Sequence, residues 1–479
     1  MRHFPSIGLE IHAQLRTASK IFCGCGTTFG AAPNTNVCPV CLGMPGSLPV
    51  LNRRAVEYAV RAALALGCRV HPVSVFARKH YFYPDLPKGY QISQHASPLA
   101  TGGRVVVDIA AGPRAIGITR IHMEEDAGKS LHGDDQAAGP TGVDFNRSGV
   151  PLIEIVTAPD IDSAELAAAC FSRIREVLVA LGVNDGNMEE GSLRCDANVS
   201  VRPSAAAPLG ARTETKNLNS FRHVHRAIEF EIGRQTGQLS RGEPVETETR
   251  LWDSATGETV SMRGKEEAHD YRYLPEPDLP PLVIDQSLLD ELRRTMPELP
   301  EQQRARFVSQ YGLPAYDAGV LTQSPALAAY FEATAAASGS PKGASNWIMG
   351  ETLGRLNAAG MDIGDIRIAP EALAGLIRLV ESGRITGPIA KLVFERMFDE
   401  GGDAETIVEA EGLARVADDA AIAALVRDTL AANPKPVGQY RAGRTQTLGF
   451  LVGQVMKASG GKADPEKVAE HVRRALSHD

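Results

Sequence analysis

The chain has 479 residues, which at roughly 150 per domain describes about three domains and excludes a small module or peptide. Hydrophobic residues make up 43%, charged residues 23% and aromatics 5%, a globular composition that fits neither a disordered tail nor a membrane protein. A net charge of −8 argues against a surface coated in positive charge for non-specific nucleic-acid binding, although it leaves room for a local basic site.

The opening stretch MRHFPSIGLEIH has no apolar core or small-residue cleavage site, and no run of about 18 apolar residues follows, so a cytoplasmic protein is expected. From there to about Pro281, apolar and polar positions alternate between Gly, Pro and Thr breaks, the pattern of strands joined by loops. In the first predicted strand, Ile7–Leu15, successive side chains point to opposite sides. Ile7, Leu9, Ile11, Ala13 and Leu15 therefore share one face, and Glu10 and His12 share the other. Four of the seven cysteines, Cys23, Cys25, Cys38 and Cys41, follow within nineteen residues. Two close pairs separated by a loop suit a tetrahedral Zn²⁺ better than disulfides. Cys68, Cys170 and Cys195 sit in apolar contexts and are expected in the core.

Residues 79–91, KHYFYPDLPKGYQ, mix basic and aromatic side chains between Pro and Gly breaks. Such a loop either stacks on a base and neutralises phosphate or packs as an ordinary structural loop. The strand-like Ile116–Met123 precedes the acidic run Glu124, Glu125 and Asp126, read as either a solvated turn or a metal-ligand cluster. Glu154 interrupts the apolar run at 150–156, where a carboxylate needs a partner or a site. A second acidic pair, Glu189 and Glu190, comes just before the predicted strand Ser192–Arg202. In that strand Leu193, Cys195, Ala197, Val199 and Val201 oppose Arg194, Asp196 and Asn198, and in Arg212–Lys216 the residues Arg212, Glu214 and Lys216 alternate with threonines. Charged faces are ordinary in half-solvated antiparallel sheets. Glu, His, Asp, Asn and Arg concentrated on several strands instead suit a divalent cation and phosphate.

Familiar nucleotide motifs are missing. AGKS at 127–130 ends like a P-loop but has Met123 where that motif needs Gly, and GCGTTFG at 24–30 has the wrong spacing for a dinucleotide fingerprint. Neither a paired-histidine zinc-protease motif nor a Gly-Xaa-Ser-Xaa-Gly elbow occurs, which weakens a hydrolase reading.

The turn-rich Pro275–Pro281 marks a first boundary, and beyond it the apolar period becomes helical in Ser287–Met296, Pro300–Tyr311, Ala344–Ala358 and Pro370–Ser382. A third, helical region begins near Gly402 and ends in Asn433–Asp479, which has eight Lys and Arg against four Asp and Glu.

Several stretches together carry a resemblance: GLEIH at 8–12, the cysteine cluster, the 79–91 loop, HMEEDAGK at 122–129, DFNRSGVPLIE at 144–154, MEEGSLRCDANVS at 188–200, KNLNSF at 216–221, DYRYLPEPDLPP at 270–281 and KPVGQY at 435–440. The chain resembles the B subunits of glutamine-dependent aspartyl/glutamyl-tRNA(Asn/Gln) amidotransferases over essentially its whole length. The resemblance implies an α+β protein with a cradle-like domain on antiparallel sheet (1–285), a helical domain (286–402) and a small helical tail that grips tRNA (403–479). It also implies a heterotrimer with a glutaminase A subunit and a small C subunit, a misacylated tRNA as substrate, and neither DNA nor membrane as partner.

By the same resemblance, this chain would phosphorylate the side-chain carboxylate of Glu-tRNA(Gln) or Asp-tRNA(Asn) with ATP and amidate it with ammonia from the partner. The implied catalytic residues are Glu10, His12, Glu125, Asp196 and Glu214, with Mg²⁺ on Glu10, His12 and Glu125. Arg194 and Lys216 would face phosphate, Lys79 and Lys88 would line the ammonia channel with Glu125 as its gate, and Lys435, Arg441 and Arg444 would contact tRNA. Structural Zn²⁺ would sit on Cys23, Cys25, Cys38 and Cys41. Two other readings stay open: a zinc-stabilised tRNA-binding scaffold without chemistry of its own, and a free-standing ammonia-using ligase. Carboxylates concentrated on strand faces fit the scaffold poorly, since they repel RNA.

Overall fold

The computed structural model describes residues 3–110, 112–131, 141–204, 206–263, 271–415 and 418–477, so that Asp270 of the 270–281 motif lies outside the described residues. The chain forms two compact units, Met1–Pro300 and Glu301–Asp479.

The first unit is built on a nine-stranded sheet. From one edge to the other its strands are Glu258–Arg263, Glu248–Asp253, Thr213–Leu218, Leu193–Arg202, Phe4–Gln14, Pro151–Thr157, Gly112–Glu125, Ala100–Ile109 and Arg69–Val70. Every neighbouring pair is antiparallel except Thr213–Leu218 with Glu248–Asp253, which run parallel. The central strand pairs Ile11 with both Ile155 and Cys195, and Ala13 with both Ile153 and Leu193. Directly opposed residues share a face, so the apolar sets of three strands merge into one surface. Three helices, α1 (Arg53–Ala65), α2 (Ala164–Ala180) and α3 (Phe221–Ser240), bury their apolar stripes in the same core as that surface, giving the expected α+β class. Cys68, Cys170 and Cys195 are buried in this core. Asn52 caps α1 by accepting from the amides of Arg54 and Ala55, and Ser220 caps α3 by accepting from the His223 amide at 3.0 Å.

Two boundaries differ from the sequence reading. The strand predicted to stop at Met123 continues through Glu125, because Glu124 and Glu125 find pairing partners in Leu152 and Pro151 that only the folded sheet supplies. Helix α4 (Gln286–Arg294) belongs to the sheet unit: Leu289 and Leu292 join its core, and the Arg61 guanidinium donates to the Thr295 carbonyl at 2.8 Å.

The second unit is helical and holds two apolar cores. One gathers Phe307, Phe331, Leu376 and Phe394, and the other gathers Ile422, Val426, Leu451, Val455, Val468 and Val472. The predicted Ala344–Ala358 helix forms as Pro341–Trp347 and Leu353–Ala359 joined by a π-helical turn, Ile348–Thr352. Among the described residues no helix is long and apolar enough to cross a membrane.

Glu231 on α3 is fully buried and ties that helix to the parallel-paired edge. It accepts from Thr213 Oγ1 at 3.0 Å and from the Thr259 hydroxyl, and it pairs with Arg234 at 2.8 Å and Arg250 at 3.0 Å. Burial pushes its pKa up, but the hydrogen bonds from Arg234 and Thr259 outweigh that and hold it below the ordinary 4.5. We therefore expect Glu231→Ala to cost about 1–3 kcal/mol, since it strips the buried hydroxyls of Thr213 and Thr259 of their acceptor and leaves Arg234 and Arg250 to share Glu248. Urea unfolding followed by the neighbouring Trp252, in a Trp347→Phe background, measures this. Because the folded pKa is depressed, the wild-type contribution is present above pH 4.5 and disappears as pH falls through the folded value.

Candidate active site and metal centre

The face of the sheet opposite the helices carries the polar set. Cross-strand register aligns His122, Glu154, His12 and Arg194 in one row and sets Glu10 opposite Asp196. In the next row Asn198 stands opposite Glu214. Glu124, two residues beyond His122 on its strand, lies on the same face.

Three of these groups converge. His12 Nε2 lies 3.4 Å from Glu154 Oε2 and 3.9 Å from Glu124 Oε1, and one ligand atom from each residue falls within 4.8 Å of the others. His122 Nε2 backs both carboxylates at 3.4 and 3.7 Å, and the Ser93 hydroxyl donates to Glu124 at 3.3 Å. Glu124 is only 3% exposed and Glu154 8%. Burial disfavours both charges, yet a hydrogen bond from His122 holds Glu124 below the carboxylate range and one from His12 does so for Glu154. Burial pulls the His12 imidazole down, and Glu154 and Glu124 overcome it, raising its pKa to about 8.

A second cluster adjoins the first. Lys216 Nζ bridges Asp196 at 2.9 Å and Glu214 at 2.8 Å, while Asn198 donates to Glu10 at 2.9 Å. Burial, with the charges of Glu154 and Glu214, pushes the Glu10 carboxyl above its usual range. Arg194 turns to Asp126 at 3.0 Å, and Gln14 and Arg147 engage the same carboxylate. Lys79 stands 4.8 Å from the Tyr271 ring centroid; burial lowers its pKa, but the charge of Glu124 raises it above the ordinary lysine value.

Glu10, His12, Asp196, Glu214, Arg194 and Lys216 thus share one face. Glu125 does not join them. Alternation turns it away from Glu124, and it pairs with Lys88 and accepts the Ile92 amide at 2.8 Å. Of the expected cation set Glu10, His12 and Glu125, Glu125 lies apart, and the residues that converge with His12 are Glu124 and Glu154. Glu154 had left a trace in the sequence as a carboxylate inside an apolar run, and Glu124 as part of an acidic run. His122 left none, because a histidine in a strand is as often a core residue as a functional one. Two buried carboxylates and an imidazole fit a divalent cation that retains water on its remaining positions.

Cys23, Cys25, Cys38 and Cys41 also converge, with their sulfur atoms within 4.8 Å of one another. Sγ of Cys41 and Cys38 are 3.9 Å apart, close to the edge of a sulfur tetrahedron around Zn²⁺ at about 2.3 Å bonds. The Cys38 amide donates to Cys41 Sγ at 3.2 Å, and the fully buried Lys20 ammonium stands 3.6 Å from it. A hydrogen bond from Cys23, opposed by burial, holds the Cys41 thiol down to about 4, with the Lys20 charge also lowering it. Four sulfur donors at these distances fit a closed structural zinc site. Lys435 and Arg441 lie on the exposed helix Pro434–Arg441 and Arg444 in the turn after it, in the second unit.

A sheet with a core on one face and a buried carboxylate–imidazole cluster on the other, in a unit that also holds a four-thiol loop, is the frame of an enzyme subunit. A family model described as the GatB/GatE catalytic domain matches residues 5–290, and one described as the GatB domain matches residues 329–476. The B subunit of the aspartyl/glutamyl-tRNA(Asn/Gln) amidotransferase of Geotalea uraniireducens is 53% identical over 100% of both chains. Its counterpart in Geobacter sulfurreducens is 54% identical over 99% of this chain and 100% of its own, and that of Chlorobium phaeobacteroides is 54% identical over 98% of each. The chain belongs to the B-subunit family of tRNA-dependent amidotransferases, transamidating enzymes of the ligase type.

Two outcomes test the metal centres. Elemental analysis of purified protein is expected to give about one zinc per chain, lost in Cys38→Ser. Mg²⁺ affinity measured by calorimetry without nucleotide is expected to rise as pH passes upward through about 8, because His12 must shed its proton to offer a lone pair. A flat profile would mean that His12 does not take part.

Proposed function

We propose that this chain is the kinase and transamidase subunit of a heterotrimeric amidotransferase, acting on Glu-tRNA(Gln), Asp-tRNA(Asn) or both in the cytoplasm. The observation that carries the reading is the convergence of His12, Glu124 and Glu154 on a buried face beside Arg194 and Lys216. A carboxylate is a poor electrophile, and phosphorylation supplies the leaving group it lacks. In the first step a side-chain oxygen of the aminoacyl group attacks the γ-phosphorus of ATP, the bond to the bridging oxygen breaks and ADP departs. In the second, ammonia attacks the acyl carbon, the bond to the phosphoryl oxygen breaks, and phosphate and a proton leave as the amide forms.

Two anions meet in the first step, so charge neutralisation is the main task. Mg²⁺ held by His12, Glu124 and Glu154 would supply part of it when bound. Lys216, poised between Asp196 and Glu214, and Arg194, restrained by Asp126, offer cations whose partners hold them in place before substrate arrives. Glu10, Asp196 and Glu214 form the adjoining acidic group, which an incoming cation or ammonium would satisfy. Ammonia would come from a glutaminase A subunit, stabilised by a small C subunit, and pass Lys79, Lys88 and Glu125. The tail, residues 403–479, would hold the tRNA through Lys435, Arg441 and Arg444, by phosphate contacts that position the substrate without reading bases.

The heterotrimer supplied with misacylated tRNA, Mg²⁺-ATP and ammonium chloride is expected to give ADP and amidated aminoacyl-tRNA in equal amounts. Ammonium bypasses the glutaminase, so loss of both products in Glu154→Gln, with zinc content and tRNA binding intact, would place the chemistry on this face. Wild-type complex that binds tRNA tightly yet makes neither product from Glu-tRNA or Asp-tRNA would favour the scaffold reading. Arg441→Ala is expected to weaken tRNA binding and to lower the slope of log affinity against log salt by about 1. Filter binding over a salt series measures it.

A further inference from the structure

The four-cysteine loop and the Lys88–Glu125 pair are built into each other. After Cys41 the chain turns tightly: the Gly43 amide donates to the Val40 carbonyl at 3.0 Å and the Met44 amide to the Pro39 carbonyl at 2.9 Å. This puts Gly43 at φ +65°, the left-handed region, and brings its α-carbon directly against Lys88. A Cβ on Gly43 would fall 2.2 Å from Lys88 Cγ, 3.1 Å from its Cβ and 3.2 Å from its Cα. Lys88 Cγ can swing away only by changing the lysine rotamer, and Cβ and Cα, which move with the backbone, must still give by a few tenths of an ångström.

Beyond this contact the Lys88 side chain is 8% exposed, its ammonium paired with Glu125 and 5.3 Å from the Tyr90 ring centroid. Glu125 is itself fixed, since it accepts the Ile92 amide and its carbonyl accepts from Gln91 Nε2 at 2.7 Å. Behind the pair lies a cavity of about 130 Å³ whose wall includes Lys20, Cys23, Cys41, Lys88, Tyr90 and Glu125, so two thiol ligands and the ion pair face one space. The thiol wall is held from the other side too: the Ser148 hydroxyl donates to the Cys41 carbonyl at 3.4 Å, and Lys20 Nζ reaches the Phe145 carbonyl at 3.2 Å.

We propose that Gly43 is a positioning residue for Lys88, and that the four-cysteine site, when metal closes it, is the clamp that holds the Lys88–Glu125 pair in register. Glu125 is anchored by its own strand and by the Ile92 amide. Lys88 is held by its pair with Glu125, by the Tyr90 ring and by the packing of its stem, and the surface the stem packs on is the loop the thiols fasten. Metal loss would therefore free Lys88 while leaving Glu125 in place. The consequence for ammonia transfer rests on the reading of this pair as part of the ammonia route. On that reading, loosening the clamp lowers glutamine-driven amidation while ammonium-driven amidation persists.

The test uses the whole heterotrimer. An amine-acylating reagent is applied briefly to native complex, to complex depleted of zinc by a chelator and to the Gly43→Ala complex, and Lys88 acylation is read by peptide mass spectrometry against Lys342 in the second unit. Lys88 is expected to react several-fold faster after zinc depletion and in Gly43→Ala that still holds its zinc, with Lys342 unchanged. Should Gly43→Ala fail to fold, Cys38→Ser, which loses the zinc, replaces it, and Lys88 is again expected to react several-fold faster than in native complex. An unchanged Lys88 rate in zinc-depleted complex would overturn the proposal. The ratio of glutamine-driven to ammonium-driven amidation is measured on the same samples. A Lys88 rate that rises while this ratio stays constant leaves the clamp standing and removes the ammonia-route reading; both moving together supports both.

Discussion

The arrangement that everything else serves is the burial of several carboxylates on one face of a sheet. Glu124 and Glu154 are almost wholly removed from water, and Glu10, Asp196 and Glu214 stand in adjoining rows. Taking such charges out of solvent costs several kcal/mol each unless cations or hydrogen bonds compensate. The protein meets this with His12 and Lys79 beside Glu124 and Glu154, with a hydrogen bond from Ser93, and with Lys216 between Asp196 and Glu214. That near-balance leaves room for the additional cation, and the anions it brings, of the proposed chemistry.

The remainder of the first unit can be understood as support for that face. The helices cover only the apolar side, which leaves the polar side free to be roofed by shorter segments that bring their own chemistry. One is the strand Tyr90–Ser93, which lends Gln91, Ile92 and Ser93 to the acidic end of Gly112–Glu125. Another is the four-cysteine loop, whose gathered thiols suit a structural zinc. The buried Glu231 network does the equivalent work at the far edge, where the parallel strand pair is joined to α3.

Much of this could be read from the chain alone. Alternation in Phe4–Gln14 and Leu193–Arg202 separated core from polar positions residue by residue, because the period of two is a property of the extended backbone and owes nothing to the neighbours. The thiol spacing pointed to zinc, since two short pairs and a loop leave few other ways to gather four sulfurs. The helical period beyond Pro281 announced a helical region, set to begin at 286 where the second unit begins at Glu301, and the motifs between residues 8 and 440 together identified the family. The sequence also presented Glu124 and Glu125 as equals, two acids side by side in one run.

Tertiary structure separated them. Alternation turns adjacent residues to opposite sides, but which side becomes the site depends on which strands lie alongside, and those come from distant parts of the chain. Register brought Glu154 and His12 to Glu124 and sent Glu125 to Lys88. The same holds for Gly43, an ordinary glycine in the chain that is required because another segment's backbone passes within van der Waals contact of it. Local sequence determined the faces, the thiol loop and the family, because those follow from short-range periodicity and spacing. The partners on each face were decided by the fold, because contact between distant segments is a property of strand order that no local pattern carries.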